Sequence, residues 1–230
     1  MSLMDEPYTM LLASLPHLPA PGAAKDLPIT RLQLSSRLKW LTPEDQQRLQ
    51  RVEQALHWSH LPIELSDEQV IARAQAALEA VACDFLRPIL LERLEMRTLI
   101  AALRRRARGE TLPRERPWGQ GRFLRRIETH YAEPDFGLGH LYPWLAQAQK
   151  HLQAEEPLEL ENLLLTQYWK QLARVDDPHA FDFSAVTLYV LRWEILHRSL
   201  RRQPEAAATR FDALVAQALE SSPVSLEALA

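Results

Sequence analysis

One amphipathic run constrains the fold of this chain more than any other feature. From Ser66 to Arg108, Val70, Ala74, Ala77, Val81, Phe85 and Ile89 recur at three- and four-residue spacing. Ile71, Leu78 and Ala82 flank them, and Leu90, Leu94, Leu99, Ile100 and Leu103 continue the stripe. That period places apolar side chains on one face of an α-helix. Ser66-Asp67-Glu68-Gln69 is a capping-box pattern at the start, and Gly109 is a natural stop. Pro88 lacks a backbone donor and crowds the preceding turn, which predicts a kink or a break near Phe85–Arg87. Left unbroken, roughly 40 residues at about 1.5 Å each would form a rod of about 60 Å.

The rest of the chain is helical in character too. Leu, Ala, Arg, Glu and Gln dominate, β-branched residues are sparse, and only six glycines occur. Straight-chain residues lose little rotamer freedom in a helix. The sixteen prolines fall mostly between periodic stretches, where they mark boundaries. Thr42 followed by Pro43, Glu44 and Asp45 opens a helix with the stripe Leu49, Val52 and Leu56, ending near His57. Shorter helices are expected over Gly121–Tyr131 and Leu141–Ala154. Pro157 opens another through about Ala173, with Leu160, Leu163, Leu164, Tyr168 and Leu172 on its apolar face. Asp182 caps a helix to about Arg202 that aligns Val186, Val190, Trp193, Leu196 and Leu200. A last helix follows Pro204 with Phe211, Leu214, Val215 and Leu219, and the tail after Pro223 is expected to fray.

The expected fold is therefore mainly α: an elongated multi-helix bundle of long amphipathic helices. One β option remains near the N-terminus, where residues 1–41 read as irregular. Ile29-Thr30-Arg31-Leu32-Gln33-Leu34 alternates like a half-buried strand, and Tyr8–Leu15 fits a short strand or a helical turn, so the two can pair as a hairpin. A polar segment with Pro113 and Pro117 divides the chain into 1–109, a linker 110–120, and 121–230. Each half holds one long helix ending in arginines, Leu103-Arg104-Arg105-Arg106 and Leu200-Arg201-Arg202, which suggests a degenerate repeat.

The formal net charge of −3 provides no global field for nucleic acid or an anionic membrane. Cys83 is the only cysteine, which excludes an intramolecular disulfide and suits a cytosolic setting. The apolar stretch Met10–Leu15 follows Asp5 and Glu6 and is broken by Pro16, so neither a signal peptide nor a membrane span is expected.

No constellation points to catalysis. Glu194-Ile195-Leu196-His197 has the E-x-x-H spacing of di-iron bundles, with Glu92 and Glu95 as candidate partners, but such a site needs two motifs and two further glutamates. A ferritin-like di-metal protein is accordingly a rival reading. His57 and His60 beside Trp58 lack ligands at zinc spacing, and Cys83 reads as a small buried hydrophobe. Gly119-x-Gly121 is too short for a phosphate loop. The arginines carry more information. Arg104, Arg105, Arg106 and Arg108 close one helix, and Arg122, Arg125 and Arg126 follow across the linker. Favourable placement at a helix C-terminus explains them in part. A patch that docks an acidic protein surface is the sharper expectation, with Trp118, between Pro117 and Gly119, as a partner contact. An unrelated helical adaptor would use the same residues.

Tyr8-Thr9-Met10-Leu11-Leu12-Ala13-Ser14-Leu15-Pro16-His17-Leu18 resembles the start of an uncharacterised bacterial family encoded among the components of V-type ATPases. Leu27-Pro28-Ile29 and Trp40-Leu41-Thr42-Pro43-Glu44-Asp45 fit the same pattern. Phe85–Gly109 and Leu188–Arg202 resemble the long helices of the C-type stalk connector of V/A-type ATPases, the d-type connector of eukaryotes. There an acidic residue leads into a Leu-Arg ending, as Glu95 and Glu194 do here. The chain is shorter than typical members of that family. The resemblance implies a non-catalytic central-stalk component without cofactor or metal. It would join rotor shaft to membrane ring through protein surfaces, on the cytoplasmic side and peripheral to the membrane.

Overall fold

The structure is a computed structural model that describes residues 6–56, 65–81, 85–113, 115–175 and 181–201. These residues form nine helices and no strand: α1 (Glu6–Ser14), α2 (Arg31–Leu38), α3 (Pro43–Leu56), α4 (Asp67–Ala80), α5 (Leu86–Ala107), α6 (Leu124–Thr129), α7 (Leu145–Gln153), α8 (Pro157–Ala173) and α9 (Phe183–Leu200). Cys83, the His57–His60 segment, Arg202, the helix expected after Pro204 and the tail after Pro223 lie outside the described residues.

The N-terminal segments are helical, not paired strands, which corrects the hairpin expectation. The reason is local: the Thr30 hydroxyl accepts the Gln33 backbone N–H at 3.3 Å, while Gln33 Oε1 accepts the Thr30 N–H at 3.0 Å. This reciprocal capping box starts α2 inside what reads as strand alternation. In a strand Leu32 and Leu34 would share a face. On a helix they are turned about 200° apart, and Leu34 is fully buried while Leu32 is 82% exposed.

The long run breaks rather than kinks. Pro88 is the third residue of α5, in the first turn, where its missing N–H would have no intrahelical partner. The two helices fold back on each other, so that Arg105 near the end of α5 meets Asp67 at the start of α4 at 2.7 Å. α5 alone has 22 residues and is roughly 33 Å long. It ends in a Schellman motif: Gly109 at φ 72° lets the Glu110 N–H reach the Arg105 carbonyl and the Gly109 N–H reach that of Arg106, both at 2.9 Å.

α9 is buried almost all round, which marks a central helix. Leu188, Leu191 and Ile195 enter the largest apolar cluster, with α5 and α8. Trp193, Leu196 and Leu200 pack against Leu18, Ala24, Ile29 and Leu34, and Val186 and Val190 against Leu11, Leu41 and Leu49. The largest cluster takes side chains from both sides of residues 110–120, including Leu94 and Leu103 on one side and Leu145 and Leu164 on the other. Among the described residues no helix is long and apolar enough to cross a membrane.

Candidate functional site

α5 carries Arg93, Arg97 and Arg104 at positions i, i+4 and i+11, a cationic stripe along a largely buried helix. The stripe faces Tyr168 of α8, which is 2% exposed. The Arg93 guanidinium carbon lies 3.3 Å from the centroid of the Tyr168 ring, a cation–π contact. Arg97, Arg104 and, from α9, Arg198 also act electrostatically on the phenol. Burial pushes Tyr168 up to about 12, against the pull of these four cations. The arginines bear the same cost: burial holds Arg93, Arg97, Arg104 and Arg198 below the ordinary guanidinium value.

A cleft of about 400 Å³ opens beside this cluster, lined by Arg104 and Arg198, the aliphatic Leu152, Leu160 and Leu164, and Glu161. A void of about 30 Å³, lined by Arg93, Tyr168, Leu165, Glu161, Leu164 and Arg198, adjoins it. Arg198 donates to Glu161. At the mouth, His151 Nδ1 and Glu156 Oε2 are 2.8 Å apart. α8 starts there with Pro157 in its first turn and no side-chain cap from Glu156. No local motif marks Arg93, Arg97 or Arg198 in the sequence. The signal present was the i, i+4, i+11 spacing on a helix whose other positions are mostly apolar.

Of the seven arginines expected to form an outward patch, Arg104, Arg108, Arg122, Arg125 and Arg126 are exposed and Arg105 and Arg106 are half-buried, and most of them bond to groups within the chain. Arg104 lines the cleft. Arg105 bridges Asp67 and lies 5.8 Å from the centroid of Trp118. Arg106 donates to the carbonyls of Tyr131, Glu133 and Pro134 and covers the buried Phe136 ring at 4.6 Å. Arg108 grips Glu110, and Arg126 donates to the Gly137 carbonyl at 3.1 Å. Arg122 closes on Glu95. Trp118 is 4% exposed and its indole N–H donates to Glu128 at 3.1 Å. Its ring is therefore part of the core and not an open contact, a correction to what its linker position suggests.

The segment around Trp118 is strapped onto α5. Thr98 Oγ1 donates to the Gln120 carbonyl at 2.9 Å and accepts the Gln120 N–H at 3.1 Å. Glu95, only 2% exposed, accepts the Arg122 backbone N–H and two guanidinium N–H groups. The Tyr142 hydroxyl lies 3.4 Å from the same carboxylate. Gly119 and Gly121 allow this approach. A Cβ at Gly119 would stand 2.6 Å from Thr98 Cγ2, and one at Gly121, where φ is +113°, would collide with the Glu95 side chain.

No protein-family model, curated protein or solved structure matches this chain. The E-x-x-H pair does not gather a metal set: Glu95 is held by Arg122, Glu92 accepts from Gln171 at 3.1 Å, and His197 stacks on Trp193. Among the described residues no group of three or more potential ligands is close enough to hold an ion.

Proposed function

We propose that this chain is a non-catalytic structural or assembly component of a bacterial V/A-type ATPase, a C/d-type connector in the central stalk. It works through protein surfaces, from the cytoplasmic side and peripheral to the membrane. The observation that carries the reading is that the two segments bearing the resemblance, distant in sequence, pack as one unit. The Tyr189 hydroxyl donates to the Pro16 carbonyl at 2.9 Å, and the Trp193 indole N–H to the Ile29 carbonyl at 2.8 Å. The N-terminal pattern and the helix ending in Leu200-Arg201 thus support each other directly. Their acidic counterparts are also alike, because Glu95 and Glu194 each face an arginine from outside their own helix, Arg122 and Arg31. Met10, Leu32 and Trp40, which are 65%, 82% and 52% exposed, offer apolar side chains to a neighbouring protein of the complex.

The test is affinity isolation of the tagged full-length chain from its native cells under mild detergent. Recovery of the rotor-shaft and membrane-ring proteins in fixed proportion supports the proposal, and loss of that recovery in the triple variant Met10→Ser, Leu32→Ser, Trp40→Ser assigns the surface. Recovery only as a free monomer overturns it. Fixed association with an unrelated complex would favour the adaptor reading.

A further inference from the structure

A smaller cleft, of about 150 Å³, lies between α4, α5 and the strapped segment at Trp118. Its walls are Val70, Ile71 and Ala74 of α4, Leu94 and Ala101 of α5, and Trp118. The space follows from the sizes of the side chains that meet there. The buried positions of α4 are both alanine, Ala74 and Ala77. Ala101 lines the cleft from α5, and Gly119 of the strap brings no side chain to it. Protein interiors keep few spaces larger than a water molecule, because the atoms around such a space lose their dispersion partners. An occupant that restores those contacts is therefore favoured.

The polar groups at the walls make no demand on that occupant. Asp67 is bridged to Arg105 at 2.7 Å, Arg97 donates to the Ala55 carbonyl at 2.9 Å, and Thr98 exchanges two bonds with the Gln120 backbone. The Trp118 N–H is committed to Glu128. What remains for an occupant is aliphatic surface and the buried indole ring. Size narrows the choice further. The cleft is well below the range of about 300 to 1,000 Å³ typical of drug-sized ligands, whereas an aliphatic-walled cavity of about 150 Å³ made in another protein takes up benzene. A ring also gains edge or offset contact with the Trp118 indole and a cation–π contact with the Arg97 guanidinium.

We propose that the cleft between α4 and α5 binds a small, uncharged, single-ring aromatic molecule. The ring packs among Val70, Ile71, Ala101 and Trp118. A charged or strongly polar ligand is disfavoured, since it would give up water for walls whose polar groups are already bonded. This inference does not depend on membership of an ATPase, since it concerns a cleft of the isolated chain.

An amide-resolved NMR titration of the full-length protein tests it, with benzene as the probe and tert-butanol as the polar control. Benzene should produce saturable shifts at Ile71, Ala101 and Gly119, and tert-butanol should leave those amides in place. Ala101→Leu fills the cleft from α5 and should weaken benzene binding by at least about tenfold. Val70→Phe fills it from α4 and should act in the same direction. Unfolding midpoints and the amide spectra show whether each variant keeps its fold; should neither do so, the location of the shifts in the parent decides. No saturable response to benzene, shifts confined to residues away from the cleft, or an equal response to tert-butanol overturns the proposal. So does benzene binding that a folded Ala101→Leu or Val70→Phe variant leaves unchanged.

Discussion

The Arg122 guanidinium holds the buried carboxylate of Glu95 with two N–H groups at 2.9 Å each, while the Arg122 backbone N–H adds a third bond at 2.7 Å. The arginine side chain is 64% exposed and the glutamate side chain 1% exposed, so the pair is asymmetric. Water can solvate Arg122 if the pair is broken, but it cannot reach Glu95 without opening the strap. Arg122→Ala should therefore cost about 3 kcal/mol, because it strands a buried charge. Glu95→Gln should cost less, and the double variant less than the sum of the two. Urea denaturation of all three checks the order, and equal losses for the two single variants would contradict it.

Two glycines at positive φ separate backbone strain from collision. Gly109, at φ 72°, has open space where a Cβ would stand, so Gly109→Ala should cost only about 1 kcal/mol. Gly121 adds a collision with Glu95 to an even less accessible φ of 113°. Gly121→Ala should cost at least about 2 kcal/mol more than Gly109→Ala and loosen residues 118–122. Hydrogen exchange at Gln120 and Arg122 reads the second effect.

Stability should fall at alkaline pH through Tyr168. Its folded pKa is raised to about 12 by burial, above the unfolded value of 10.0. A raised phenol favours the neutral form in the folded state, so its contribution is complete below pH 10 and is lost as pH rises toward 12. The amount is on the order of 2 kcal/mol. Tyr142 and Tyr189, also raised to about 12 by burial, shift stability in the same direction. The unfolding free energy of the parent should fall relative to that of Tyr168→Phe between pH 8 and pH 11.5. A constant difference would refute the assignment.

Trp193→Phe removes the indole bond to the Ile29 carbonyl. A buried carbonyl left without its donor costs about 1–3 kcal/mol. The release should concentrate in the N-terminal segment, so limited proteolysis should cut between Pro16 and Thr30 faster in the variant, while α5 and α8 stay protected.

Helix starts are legible in the sequence wherever the signal is short-range. Thr42, Ser66, Pro157 and Asp182 open α3, α4, α8 and α9 as their residue types predict. Thr30 obeys the same rule, since Gln33 stands three residues on, but an alternating apolar pattern over six residues hides the capping box. The candidate cleft is harder to see. Arg93, Arg97 and Arg104 share a helix face, yet their meaning depends on Tyr168 and Arg198, far along the chain. Gly119 and Gly121, too closely spaced for a phosphate loop, acquire a role only once Thr98 and Glu95 are known to lie beneath them.

Caps, prolines and apolar periodicity act within a turn or two, so the helical character of this chain and the starts of most of its helices are encoded locally. Tertiary packing decides that α4 and α5 fold back on each other, that α9 becomes the central helix, and which group each arginine meets. A guanidinium or a carboxylate has many possible partners along a chain of this length. Which one it meets depends on how the apolar faces are buried together, and no local pattern encodes that.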